Sequence, residues 1–225
     1  MNFSDAYLPF FELASNTRAM RMLKPDPVPM EIIWKVLNAG VQAPSGQNTQ
    51  PWKFVVVSDP ERKKWFADRY AQAFEKRAGF RADPSQRKEQ PKGMVRSLYY
   101  QMDHLHEAPY LVLVCGKRDW PLKVPDDERV GLAPPNFGAI YPCVQNILLA
   151  CRALGLGAAL TTMHQVFEDE LHEYFGIPHE YGVVVTIPIG YPIGQFGPVR
   201  RIPAKEKTFL DHWGQSPGRA TESPT

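Results

Sequence analysis

Cysteine, long apolar runs and an excess of charge of one sign are all scarce in this 225-residue chain, and each scarcity excludes a class of protein. The three cysteines, Cys115, Cys143 and Cys151, form no CxxC pair and no metal spacing. An odd, sparse count fits reduced thiols in a cytoplasmic protein better than a disulfide framework. No stretch approaches the ~18 uninterrupted apolar residues of a membrane-spanning helix. The opening MNFSDAYLPFFELA lacks the basic start and apolar run of a signal peptide. Lys and Arg number 26 against 24 Asp and Glu, a net charge of +2. That balance gives no electrostatic case for nucleic acid or an anionic membrane, so basic residues are read as local sites.

Several catalytic signatures are also missing. There is no HExxH and no GxSxG, so Ser45 has no nucleophile elbow and no evident base. Gly155-Leu156-Gly157 is not a dinucleotide fingerprint. A helical pattern precedes it, a strand pattern follows, and the third glycine is absent, so it reads as a helix C-cap. Any nicotinamide would have to bind without its usual fold. His104, His106 and Glu107, and likewise His164, His172 and Glu173, have spacings that suit no common metal site and read as solvated helix-face residues.

What is present begins with APSGQNTQPWKFVVV, residues 43–57. A loop of small and amide residues runs through Gln50-Pro51-Trp52 into a β-branched strand. Such a loop can bring backbone and amide groups against a flat polar ligand. Arg18 and Arg21 lie three apart upstream, and Arg200 and Arg201 follow the last apolar run. Either pair alone reads as surface charge. Beside the amide loop they suggest a phosphate, because the planar guanidinium donates two parallel bonds to it.

The rest is a globular pattern, 44% hydrophobic and 12% aromatic, enough for one α/β or α+β domain. Helices are expected over about 4–15, with Leu8, Phe11 and Leu13 buried, and over 29–42, from the spacing of Ile32, Ile33, Val36, Leu37 and Val41. Pro60 opens a third helix. Residues 61–106 are charged yet aromatic and break at Asp83-Pro84, which predicts two helices with a mobile connection, resembling a lid. Strands are expected over 53–57, 110–115, 158–162 and 183–190. An apolar helix is expected over 137–154 and an amphipathic one over 167–175, with a Pro-rich loop over 117–135 and a disordered polar tail over 214–225.

In order along the chain, TRAMRMLKPDPVP (17–29), the amide loop, YPCVQNILLACRALGLGAALTT (141–162), FGIP (175–178), VVVTIPIGYP (183–192) and VRRIP (199–203) resemble the FMN-dependent nitroreductase family. The resemblance implies an α+β fold over residues 1–213: a central, mostly antiparallel mixed sheet of four or five strands wrapped by helices. It also implies an intertwined homodimer with FMN at the interface. Carried over by position, Arg18, Ala19 and Arg21 would contact the ribityl phosphate and isoalloxazine. Pro44, Ser45, Gly46 and Asn48 would come from the other subunit. Thr161 and Thr162 would lie near flavin N5, and Arg201 would hold the phosphate. Ala19 stands where the family often has Ser, which removes a hydroxyl but leaves the backbone N–H. The implied activity is hydride transfer from NAD(P)H through flavin N5 to an organic acceptor such as a nitroaromatic or quinone. Arg18 or Arg21 would stabilise the reduced ring. The insertion and the Thr pair also resemble the flavin-dependent deiodinase branch, so reductive dehalogenation stays open, as does a flavin carrier without turnover.

Overall fold

The computed structural model describes residues 3–87, 91–118 and 137–217. The loop expected over 117–135 lies outside them beyond residue 118, and the expected tail from residue 218 onward. Helices are α1 (Phe3–Asn16), α2 (Met30–Gly40), α3 (Pro60–Ala78), α4 (Gly93–His104), α5 (Ile140–Ala153) and α6 (Glu168–Phe175). Strands are β1 (Trp52–Val57), β2 (Tyr110–Lys117), β3 (Gly157–Ala158) and β4 (Tyr181–Gly190). They form one sheet in the order β1-β2-β4-β3, and every pairing among the described residues is antiparallel. The α+β class holds, with no parallel pair in the described part of the sheet.

The sheet is the middle of three layers. On β2, Val112 and Val114 face the core shared with α2 and α5, while Leu111, Leu113 and Cys115 face α3, α4 and α6. A strand covered on both faces has no polar side, which is why β2 and β4 read as almost continuous apolar runs. A bulge sets Val114 opposite Val185 but Cys115 opposite Val183. The extra residue, Val184, joins Val185 in the α2/α5 core, and Val183 joins the other. Burial pushes the thiols of Cys115 and Cys151 up to about 12 and that of Cys143 to about 11, so none is a ready thiolate.

Helix α3 starts where Asp59 Oδ1 accepts the Arg62 N–H at 2.8 Å, with Pro60 in the first turn. Its face of Phe66, Ala67, Tyr70, Ala73 and Phe74 is buried, so this first part of the insertion belongs to the core. Lys63 is buried too, its ammonium donating to Ala108 O at 2.7 Å, and burial lowers its pKa. The connection to α4 is tied down where Arg87 forks onto Asp103 with two bonds of 2.6 Å and lies 4.2 Å over the Tyr99 ring.

Three expectations need correction. The strand expected over 158–162 pairs only at Gly157 and Ala158. The chain leaves the ladder at Ala159 and Leu160, then rejoins it at Thr161, whose N–H and C=O both exchange with Thr186. Phe11 is 61% exposed and Leu13 is half-buried, because α1 packs chiefly against α5 and not under the sheet; the side chain of Leu8 lies outside the described residues. His164 and His172 are buried, not solvated, each with one ring nitrogen on a carbonyl, Val183 O at 2.6 Å and Ile177 O at 3.0 Å. Burial holds the His164 pKa below its usual value. Among the described residues no group of His, Cys, Asp and Glu could hold a metal ion.

Candidate cofactor-binding site

Residues 18–24 form a strap along the sheet's β3 edge. Met20 N–H donates to Ala158 O at 3.0 Å, Lys24 N–H to Tyr191 O at 2.8 Å, and Ile193 N–H to Met22 O at 3.0 Å. Met20 and Leu23 are buried, which leaves Arg18 and Ala19 on the open side and Arg21 half-buried. The strap can lie this close because residue 157 is glycine. A Cβ there would fall 2.7 Å from Leu23 Cδ2, 3.0 Å from Met20 Cβ and 3.2 Å from Pro192 Cβ. Gly155 performs the expected capping, with φ 74° and the Leu156 N–H returning to Cys151 O at 2.8 Å.

The strap borders a cavity of about 800 Å³. Its walls bring together Arg18, Ala19 and Arg21 from the strap, Arg152 from the last turn of α5, and Arg201 from the C-terminal segment. That segment is drawn in by Val199, whose N–H donates to Ser15 O at 2.9 Å. Leu156 and Ala158–Leu160 supply an apolar wall. Four guanidiniums therefore share one cavity that no Asp or Glu among the described residues lines. Like charges gathered without a counter-charge are the mark of an anion site. Arg200 does not line it.

Arg18, Ala19, Arg21 and Arg201 thus line one cavity. The other site candidates do not line it. Pro44, Ser45, Gly46 and Asn48 lie outside the cavity on a largely exposed loop. That loop has an unusual backbone: Gln47, Asn48 and Gln50 have φ of 51°, 54° and 48°. It is held by Ser45 Oγ accepting the Gln50 N–H at 3.0 Å and Thr49 Oγ1 donating to Gly46 O at 2.8 Å. Three non-glycine residues in the left-handed region within four positions are costly, and such strain clusters at ligand clamps. Thr161 and Thr162 lie just past the Ala158–Leu160 wall without lining it. Thr161 Oγ1 accepts the Met163 N–H at 3.4 Å, while Thr162 is exposed. Behind Thr161 stands Tyr70 of α3, fully buried and donating to Gln101 Oε1 at 3.1 Å. Burial pushes its phenol up to about 12, against smaller opposing effects of Thr161 and Arg21.

Arg152 was missed from the sequence. It is the single charged residue between Phe137 and Phe167, and in an apolar helix it reads as a terminal charge favoured by the helix dipole.

Residues 14–191 match the model of the family described as "Nitroreductase family". The chain belongs to that family. Among curated relatives, iodotyrosine deiodinase 1 of Rattus norvegicus is 31% identical over 187 residues, 81% of this chain and 62% of the rat protein. The present chain thus spans less than two thirds of that relative's length. Among solved structures, a putative NADH dehydrogenase/NAD(P)H nitroreductase from Bacteroides thetaiotaomicron superposes with a TM-score of 0.62 at 25% identity, covering 91% of this chain and 96% of that one. An iodotyrosine deiodinase bound to FMN and 3-iodo-L-tyrosine gives a TM-score of 0.66 at 24% identity, covering 88% and 99%. At that identity the second likeness speaks for the fold.

The strap's fit against Gly157 yields a direct prediction. Gly157→Val should displace Met20 and Leu23, with an overpacking cost of about 1–3 kcal/mol. Both the melting temperature and the affinity for added FMN should fall. Gly197→Ala, whose Cβ would meet nothing within 4 Å, should change neither. An unchanged FMN affinity in Gly157→Val, measured by flavin fluorescence, would detach the strap from the site.

Proposed function

We propose that this protein is an FMN-dependent oxidoreductase that takes reducing equivalents from NAD(P)H and passes them to an organic acceptor such as a nitroaromatic or quinone. The observation that carries this is the cavity of four guanidiniums, with no carboxylate among the described residues that line it, set against an apolar wall. One end suits a phosphate dianion, and the wall suits a flat ring.

The residues present fit FMN in three respects. Arg18 and Arg201 offer charge-assisted donors to a phosphate from two unconnected segments. Ala19 is small and leaves the strap's backbone accessible. Ala158–Leu160 give an apolar surface beside which Arg21 supplies positive charge. When bound, FMN would supply two-electron transfer between donor and acceptor, chemistry that side chains cannot perform. The protein's share is to bind, orient and tune. Arg21 would offset negative charge gained by the ring, and Thr161 or Thr162 would offer a hydroxyl at its edge. Pro44, Ser45, Gly46 and Asn48 would close the site from a second copy of the chain, since within one chain they stand apart from it. No side chain is assigned as nucleophile or base.

A second reading has specific support. The rat relative is an iodotyrosine deiodinase, and the α3–α4 insertion ends in a helix whose start exposes Met94 and Val95. Tyr100 of α4 donates to Leu23 O at 3.3 Å, which ties that helix to the strap two residues from Arg21. A helix tied to the strap at Tyr100 and apolar at its start would suit a lid over an aromatic substrate. In reductive deiodination an aryl C–I bond is replaced by C–H, two electrons and a proton are consumed, and iodide leaves.

One experiment separates these readings. The purified protein should be yellow and release FMN, not FAD. Its visible absorbance should bleach anaerobically with NADH or NADPH and return on adding a nitroarene or quinone. If neither nicotinamide bleaches it but dithionite with 3-iodotyrosine yields iodide, the dehalogenase reading replaces the first. Bound FMN with no turnover under either regime would make the chain a flavin carrier. A colourless protein that ignores added FMN would end all three.

A further inference from the structure

Four buried side-chain atoms among the described residues lack a hydrogen-bond partner: Gln101 Nε2, Arg152 Nε, His164 Nδ1 and His172 Nε2. The two imidazole nitrogens can be acceptors in one tautomer, which makes their isolation less costly. Arg152 Nε has no such escape, because a guanidinium is always charged and only donates. It is also the one atom of the four that belongs to a residue lining the arginine cavity. A buried donor left without an acceptor is expensive, whereas the residue as a whole is only partly buried and lines the cavity, where its other N–H groups can meet a ligand.

The side chain is also held in a defined pose. Arg152 Cζ lies 4.2 Å from the centre of the Phe196 ring. A guanidinium held over an aromatic face is attracted by the ring without engaging an oxygen acceptor, so donors stay available to a ligand. Phe196 and Arg201 sit on the same C-terminal segment, and both line the cavity. Arg152 thus comes from the sheet-side helix, and its platform comes from the segment that brings Arg201.

We infer that Arg152 is a further guanidinium for the cofactor's phosphate, presented by its stack on Phe196. This rests on the FMN reading above and adds to it a residue and a mechanism of presentation. The alternative role, a cation neutralising the end of α5, requires neither burial of Nε nor the aromatic platform.

FMN and riboflavin differ only in the phosphate, so their affinity ratio isolates contacts to that group. Dissociation constants for both flavins would be measured by fluorescence quenching on the wild-type protein and on Arg152→Ala, Arg152→Gln, Arg152→Lys, Arg201→Ala and Phe196→Ala. Arg152→Ala and Arg152→Gln should each weaken FMN by about tenfold, the loss of one charge-assisted interaction, and leave riboflavin within about twofold. Arg152→Lys should recover part of the loss, since it keeps the charge but not the fork. Phe196→Ala should weaken FMN, and the Phe196→Ala/Arg152→Ala pair should be no worse than Arg152→Ala alone. Gln keeps an unbranched, helix-compatible side chain, so a poorly folded Ala variant does not remove the test. If the Gln variant keeps the wild-type FMN:riboflavin ratio while Arg201→Ala lowers it, the FMN reading stands and Arg152 is only a helix-end charge. If the wild type does not prefer FMN to riboflavin, the cavity is no phosphate site and both readings fall.

Discussion

Arg201→Ala is expected to lower FMN affinity by about tenfold or more, while Arg200→Ala leaves it near the wild-type value. The two arginines are adjacent, equal in charge and both exposed, yet only Arg201 lines the cavity. Its Nη1 donates to the Arg200 carbonyl at 2.9 Å, which turns the side chain back along its own segment and leaves other donors free for a phosphate. A mere loss of net charge would affect both variants equally. A lost bidentate contact affects one. Arg201→Lys should restore part of the affinity, and the gap between wild type and Arg201→Ala should narrow as salt is raised, because an exposed guanidinium is screened. Anaerobic reduction rates at saturating FMN should change little, since Arg201 would touch the phosphate and not the ring. Titration by flavin fluorescence decides it. Equal affinities for the two alanine variants would reduce the C-terminal arginines to solvated charge.

The contrast between Arg201 and Arg152 shows what the sequence made legible. Most helices and strands announced themselves through periodicity and punctuation: Asp59-Pro60 opens α3, Gly155 closes α5, and β2 is a short apolar run that starts after Ala108-Pro109. The arginines at 18, 21 and 201 could be picked out because they sit in polar, Pro-rich segments where a charge pair stands as a candidate ligand. Arg152 could not, because a lone charge at the end of an apolar helix has an adequate local explanation. Only the fold shows that its Nε is buried and that Phe196, 44 positions later, lies beneath it. The same limit misplaced His164 and His172. Polar residues read as solvated, but the turn before α6 packs His164 against α3 and β4, a long-range contact, and the chain that follows α6 folds back over His172 through Ile177 O. The split of β3 was likewise hidden, since Ala159 and Leu160 suit a strand but leave the ladder before Thr161 rejoins it.

The larger effect is expected from breaking the association of two chains that we propose. Trp34→Glu combined with Tyr141→Glu should give a folded monomer that retains almost no FMN. Trp34 is 54% exposed on α2 and Tyr141 46% on α5, the two helices that pack together over one face of the sheet. Around them the outer side of α5 adds half-buried Leu148 and Leu149, and Leu154 beyond its end is 41% exposed. Large apolar side chains in such number on one side of a domain point to a covered surface. The amide loop gives the same requirement independently. Pro44, Ser45, Gly46 and Asn48 follow α2, stay clear of the arginine cavity of their own chain and lie in a loop strained at Gln47, Asn48 and Gln50. A second copy brings them to a cavity if the α2/α5 face is the interface. Each buried, unpaired glutamate would cost several kcal/mol, and symmetry places four of them in one interface. Light scattering should then report a monomer at micromolar concentration, circular dichroism should remain that of the wild type, and the flavin absorbance should disappear. A monomer that stays yellow would remove the amide loop from the site. A dimer that stays yellow would move the interface elsewhere on the surface.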